Sequence, residues 1–418
     1  MTKGRVLFAS LIGTTIEFFD FYIYGTAAVI VFPQLFFPAG DATTATLQSL
    51  ATFALAFLAR PVGSALFGHF GDRIGRKATL VAALLTMGVS TVAIGLLPTY
   101  ASIGIAAPAL LALCRLGQGL GLGGEWGGAV LLATENAPPG KESLYGMFPQ
   151  FGSPLGFWAA TGIFIALSAA LTEQQFLEWG WRLPFIASAV LVVVGLYIRL
   201  QITETPAFQR TIERQERVPV PIAALLREHS RTLVLAALAG IVTYVIFYLM
   251  TVFTLSWGTG HLGFTRQHFL LLQMIGVVFF ALTIPVSALG SDRIGRWPML
   301  MVASVLVFVF GLLFEPLFSS GDAVEVTVFL SIGLGLMGMT YGALGTAIAD
   351  LFPTAVRYTG ASVAFNVAGI LGGSVAPYAA TYLANNYGIA YVGYYLSAAA
   401  LVTLTAQLLL RRTGTGSR

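Results

Sequence analysis

The chain has 418 residues, of which 57% are hydrophobic and only 10% charged, with a mean hydropathy of +0.83. A soluble chain carries about 25% charged residues, so this composition excludes a soluble globular protein and points to one embedded in a bilayer. The net charge of +4 is spread along the chain and marks no nucleic-acid surface, the lone Cys114 allows neither an internal disulfide nor a thiolate cluster, and four scattered histidines make no metal site.

A spanning helix needs about 20 apolar residues. Twelve stretches qualify: 7–32, 45–68, 78–98, 104–134, 144–171, 181–202, 232–257, 268–290, 298–318, 324–349, 358–384 and 390–410. The first follows Lys3 and Arg5 and superficially resembles a signal peptide. It is too long for one, contains Glu17 and Asp20, and lacks a small-residue cleavage site, so it is expected to stay as span 1. The longest break, 203–231, holds Glu204, Arg210, Glu213, Arg214, Glu216, Arg217, Arg227, Glu228 and Arg231 with Pro206, Pro219 and Pro221. It reads as a cytoplasmic linker with a helix lying on the membrane. The expected plan is an N-terminal six-helix bundle (1–202), that linker (203–231) and a C-terminal six-helix bundle (232–418).

Charge sorts by side. With both termini inside, most Lys and Arg fall in cytoplasmic segments, as the positive-inside rule requires. Arg60 and Arg115 lie within spans and Arg182 and Arg266 at outer edges, whereas Asp41, Glu173, Glu178, Asp322 and Glu325 populate outer loops. The expected arrangement is a multi-pass membrane protein with both termini cytoplasmic.

Between spans 2 and 3 stands Gly68-His69-Phe70-Gly71-Asp72-Arg73-Ile74-Gly75-Arg76-Lys77. So many charges cannot sit in hydrocarbon, and the glycines let the backbone turn sharply, so this is a short loop at a membrane face. Half a chain later Gly290-Ser291-Asp292-Arg293-Ile294-Gly295-Arg296 restates it. Glu135 and Ser143-Leu144-Tyr145-Gly146 are echoed, at nearly the same offset, by Asp350 and Arg357-Tyr358-Thr359-Gly360. A duplicated bundle is a common way of building a transporter.

Ionisable residues inside a span usually mark a pathway or a partner. Here they are Glu17 and Asp20 (span 1), Arg60 (span 2), and Arg115 and Glu125 (span 4); spans 7 to 12 offer only polar groups such as Tyr244, Tyr248, Gln273, Tyr341 and Asn366. Glu17 and Asp20 share a helix face. Carboxylates at one depth repel when both are ionised, which favours holding a proton. Glu17, Asp20, Arg115 and Glu125 are therefore candidates for proton coupling. The alternative is that the acids merely neutralise Arg60 and Arg115 in static pairs. Arg115 needs a carboxylate partner or an anionic substrate, and span 1 is expected to supply the partner.

Residues 119–124 match G-x-G-x-x-G, but no strand precedes them and the glycines lie mid-span, so close helix packing is the better reading than a dinucleotide site. The same holds for Gly333, Gly335, Gly338, Gly342 and Gly345. No P-loop, nucleophile–base pairing or metal-ligand spacing occurs in the sequence, so neither an enzyme nor a cofactor is expected. Tyr22, Tyr24, Trp126, Trp158, Tyr244 and Tyr248 are candidate cavity liners, with lipid-facing or core packing as the alternative. The candidate substrate-binding set is Tyr24, Arg60, Arg115, Trp126, Gln150, Tyr244, Tyr248 and Asn366. Trp179, Trp181 and Trp257 lie near span ends and read as interface anchors. Gly152-Ser153-Pro154-Leu155-Gly156 and Pro285 are expected to bend their helices.

With these residues in view, the chain resembles the major facilitator superfamily. Gly68, Asp72, Arg73, Gly75, Arg76 and Lys77 match its loop signature, and Arg115 with Gln118-Gly119 resembles its helix-4 arginine motif. Within it, the chain is similar to the metabolite:proton symporter family through residues 13–25, Arg60-Pro61-Val62-Gly63, residues 121–128, Gly180-Trp181-Arg182-Leu183-Pro184-Phe185, Glu204-Thr205-Pro206 and residues 351–360. The resemblance implies two six-helix bundles around a central cavity, alternating access, and uptake of a small metabolite with protons across a bacterial inner membrane. It implies a gating latch of Gly68, Asp72, Arg73, Gly75 and Arg76 with Glu135 and Arg357, and a second copy of Asp292, Arg293 and Arg296. Trp297 stands where the first copy has Lys77, which predicts a weaker second latch.

That family includes carriers of oxoglutarate, citrate, shikimate, proline and betaine. Arg60 and Arg115 favour a small carboxylate; if acids already neutralise both, a zwitterion held on aromatic faces fits instead. A long charged C-terminal coiled coil, found in some osmosensing members, has no counterpart after Arg412. A passive facilitator and a transporter-like sensor are the remaining alternatives, and a sensor would need an output domain that this sequence lacks. The expected partners are lipid, protons and a small solute, with no nucleic acid, and the expected state is a monomer.

Overall fold

The computed structural model describes residues 3–38, 41–74, 76–135, 137–201, 221–353 and 356–412, and all regular structure among them is helical. Apolar runs become twelve spanning helices: α1 (Lys3–Ile30), α2 (Ala42–Ile74), α3 (Arg76–Leu96), α4 in two pieces (Ala106–Gly123 and Trp126–Glu135), α5 (Glu142–Ala170) and α6 (Arg182–Gln201). The second set is α7 (Ser230–Tyr248, continuing through a π-helical turn, Leu249–Phe253, into Thr254–Gly260), α8 (Arg266–Ile294) and α9 (Arg296–Leu312), followed by α10 in two pieces (Ala323–Tyr341 and Leu344–Ala349). It ends with α11 (Arg357–Ala368, the π-helical turn Gly369–Ser374, and Ala376–Tyr387) and α12 (Ala390–Arg412). Eight of these are long and apolar enough to cross a bilayer unaided, and α3 and α9 have shorter apolar stretches. The remaining two, α1 and α4, carry the acids and Arg115. A short helix, Pro221–Glu228, stands in the expected linker.

The helices pair in a repeating order. In the first half α1 packs on α5, α2 on α4 and α3 on α6; in the second α7 packs on α11, α8 on α10 and α9 on α12. Each pair is the other's counterpart six helices on. The halves meet along α5–α8 and α2–α11, which are also counterparts. This is the duplicated-bundle architecture that the repeated loops imply.

Small residues permit these contacts. A Cβ on Gly123 would lie 2.1 Å from the Arg60 carbonyl oxygen, and one on Gly63 the same distance from that of Leu120, so α2 and α4 touch backbone to backbone. A Cβ on Gly152 would meet Thr14 Oγ1 at 2.2 Å. Gly152 and Gly156 of α5 thus serve its contact with α1, and α5 runs on through Pro149 and Pro154 as α8 does through Pro285. One expected anchor is corrected. Trp181 is fully buried against Phe32, Phe36 and Phe185, because the turn ahead of α6 points it into the bundle, whereas Trp179 remains exposed.

Candidate functional site

The two halves enclose a central cavity whose wall includes Glu17, Tyr22, Arg60, Trp126, Tyr244, Tyr248, Tyr341 and Asn366. The cavity holds about 30 Å³, room for a couple of waters, and the wall residues named are all buried. Gly369 and Gly373, in the π-helical turn of α11, let the rings of Phe57, Tyr244 and Tyr248 lie against the backbone there.

Arg60 places a guanidinium in this wall. Its central carbon lies 4.7 Å from the Phe21 ring centre and 4.9 Å from that of Phe57. Among the described residues no carboxylate lies within 4.0 Å of it, and its Nε has no hydrogen-bond partner. Glu17 is on the same wall, in the neighbourhood of Glu125, Arg60 and Arg199. Arg199 grips Glu125 with two bonds, Nη1 to Oε1 at 2.7 Å and Nη2 to Oε2 at 2.8 Å. Sequence reasoning missed Arg199 as a site residue. It stands close to the end of α6, where an arginine reads as ordinary positive-inside bias, and only its distance to Glu125 reveals the pairing.

Arg115 and Asp20 lie elsewhere. Arg115 is fully buried inside the first half, its Nε donating to the Phe53 carbonyl at 3.3 Å and Nη1 to Gln118 Oε1 at 2.9 Å. The rings of Phe21, Tyr24 and Phe53 cover it at 4.3, 4.0 and 4.8 Å. Gln118 in turn donates to Thr91 Oγ1 at 2.8 Å. Asp20 accepts a bond from Ser188 Oγ at 2.5 Å, and its Oδ2 has no hydrogen-bond partner. The expected carboxylate partner for Arg115 on the first helix is therefore absent among the described residues. A carbonyl, an amide and aromatic faces hold the cation instead. Tyr24 belongs to this interior network, bonding Thr52 at 3.0 Å, and is no cavity liner. Nor does Trp158 line the cavity; it is half exposed and donates to the Met274 carbonyl at 3.1 Å on the α5–α8 seam.

Gln150, also expected at the substrate, is fully buried behind the wall, accepting from Trp126 Nε1 at 3.2 Å and donating to the Tyr341 carbonyl at 3.0 Å. Trp126 lies parallel to Phe365 across the halves, with ring centres 3.5 Å apart. Asn366 bonds Ser64 Oγ at 2.8 Å and the Gly123 carbonyl at 3.3 Å.

At the charged-loop end, Asp292 accepts from the backbone N–H groups of Ser143 and Leu144 at 3.2 and 3.1 Å, so the second half caps the N-terminus of α5 in the first. Arg296 pairs with Asp350, lies 3.6 Å from Glu142 and donates to Ser143 Oγ at 3.3 Å. Arg293 is exposed, and Arg357 donates to the Phe352 carbonyl at 3.1 Å. The second copy of the loop thus contacts the first half through Asp292 and Arg296, while Trp297 is buried in the fold. Gly75 lies outside the described residues, and Gly68, Asp72, Arg73, Arg76 and Glu135 outside those whose side chains are described.

Comparison with known proteins fits this architecture. The model of the Major Facilitator Superfamily matches residues 10–377. The chain is 57% identical to the inner membrane metabolite transport protein YhjE of Escherichia coli, covering 99% of this chain and 95% of that one. It is 36% identical to the shikimate transporter of E. coli (97% and 94% covered) and 32% identical to a proline/betaine transporter of Salmonella typhimurium (98% and 83%). The partially occluded, inward-open structure of the E. coli xylose transporter XylE aligns at a TM-score of 0.76 with 15% identity, over 98% of this chain and 97% of that one.

Proposed function

The chain belongs to the Major Facilitator Superfamily, as a membrane transporter of metabolites, and from that premise we propose that it takes up a small carboxylate together with protons. Arg60 carries the reading. A guanidinium on the wall of the central cavity, flanked by rings and free of any carboxylate within ion-pair distance among the described residues, is a ready partner for a substrate carboxylate. Glu17 supplies the proton site. It faces the same cavity, beside a second carboxylate that Arg199 already holds, and two adjacent carboxylates favour sharing a proton. Asp20 and Arg115 lie off the cavity wall and serve the fold of the first bundle.

In this reading residues 1–202 and 232–418 rock against each other, with both termini and the 203–231 linker in the cytoplasm. Asp292 and Arg296 latch the cytoplasmic end. The repeat assigns Asp72, Arg73 and Arg76 the same work, with Arg76 on Glu135 as Arg296 is on Asp350. The 36% identical shikimate transporter is a carboxylate carrier by its name. A zwitterion such as proline or betaine is the second reading, favoured by the tyrosine faces of the wall, on which a cationic group can rest.

Uptake into proteoliposomes tests the proposal. Acid outside should drive accumulation of a small carboxylate, and a protonophore should abolish it. Equal accumulation with and without the pH gradient would remove proton coupling.

A further inference from the structure

Both α4 and α10 are interrupted at matching points, after Gly123 and after Tyr341. A break leaves backbone carbonyls that must be satisfied from outside the helix, and in a bilayer only other protein groups or a water-filled pathway can do so. At the first break Ser64 Oγ and Asn366 Nδ2 donate to the Gly123 carbonyl, and Tyr358 Oη donates to that of Gly124. At the second, Gln150 Nε2 donates to the Tyr341 carbonyl at 3.0 Å, and Ser287 Oγ donates to that of Met339 at 2.8 Å.

The donors correspond. Ser64 and Ser287 stand on α2 and α8, and Asn366 and Gln150 on α11 and α5, so each pair occupies equivalent helices of the repeat. Each serine closes on the break within its own half, whereas each amide crosses to the other half. We infer that Gln150 and Asn366 form two reciprocal clasps that hold the cavity shut toward the charged-loop end, rather than acting as substrate contacts. Trp126 ties them together: its Nε1 donates to Gln150 Oε1, and its ring lies on Phe365, next to Asn366 in sequence. Both amides are at least nine-tenths buried, so the clasped carbonyls are out of water. Separating the halves at this end breaks both clasps and wets the carbonyls through the opening pathway.

This inference rests on the alternating-access reading, and the test separates the two. In full-length protein with Cys114→Ser, a single Met337→Cys on the cavity wall is labelled by an impermeant maleimide from each side of oriented vesicles, with no substrate present. Gln150→Leu and Asn366→Leu should each raise the rate from the cytoplasmic side about fivefold or more, the scale expected for one lost buried hydrogen bond. The milder Ser64→Ala should move it the same way. If the parent labels from both sides and all three variants leave the rates unchanged, the clasps are overturned. Labelling from one side alone in the parent and in all three variants, with substrate as without it, would overturn alternating access itself.

Discussion

Arg199 and Glu125 are locked by paired bonds of 2.7 and 2.8 Å between α6 and the break in α4. Both are nearly buried, so neither can lose its partner cheaply. Removing one member of a buried pair leaves an uncompensated charge and costs about 3–5 kcal/mol. Arg199→Gln should therefore lower the melting temperature of the detergent-purified protein sharply. Adding Glu125→Gln should recover most of the loss, because no charge is then stranded. Arg199→Lys should fall between, since an ammonium cannot reproduce the fork. An Arg199→Gln variant that melts like the parent would contradict the pairing.

Glu17 and Asp20 are three residues apart, yet only Glu17 faces the cavity. Glu17→Gln should preserve exchange of internal for external substrate while abolishing accumulation driven by acid outside. Asp20→Asn should retain the pH dependence and instead lose stability, because it disturbs the bond to Ser188. The reverse assignment of effects in proteoliposome assays would move the proton site to Asp20.

These two residues also show where sequence reading stops. The twelve spans, the repeat and the family were legible because hydropathy, paired glycine-rich loops and local motifs are one-dimensional signals. Pairing across the bundle is not. Glu17 and Asp20 look equivalent on a helical face, but the contacts of α6 separate them, Ser188 taking Asp20 and Arg199 taking Glu125. Arg115 looked in need of an acid. Rings from α1 and α2 supply its environment instead, a solution that depends on where Phe21, Tyr24 and Phe53 point.

Asp292 offers its carboxylate to the N-terminus of α5, an interaction worth about 1 kcal/mol. Asp292→Asn should slow turnover more than it weakens substrate binding, since it disturbs closure and not the cavity. The repeat extends the expectation to Asp72→Asn. Normal turnover with lost binding, measured by initial uptake rates and equilibrium binding, would contradict the latch assignment.

Arg60→Gln should weaken binding of a carboxylate substrate by about ten- to a hundred-fold, as expected for a charge-assisted hydrogen bond of about 1.5–3 kcal/mol. Its melting temperature without ligand should change little, because Arg60 has no carboxylate within 4.0 Å among the described residues. Equilibrium binding on parent and variant checks both halves of this statement.

The most direct measurement is a thermal-shift screen of the purified protein against shikimate, citrate, oxoglutarate, proline and betaine, at acidic and neutral pH. A ligand that binds only the folded form raises the melting temperature by mass action. Stabilisation by one of the carboxylates, larger at acidic pH, is the result predicted for a proton-linked site at Arg60 and Glu17. Stabilisation by proline or betaine alone, equal at both pH values, would contradict it.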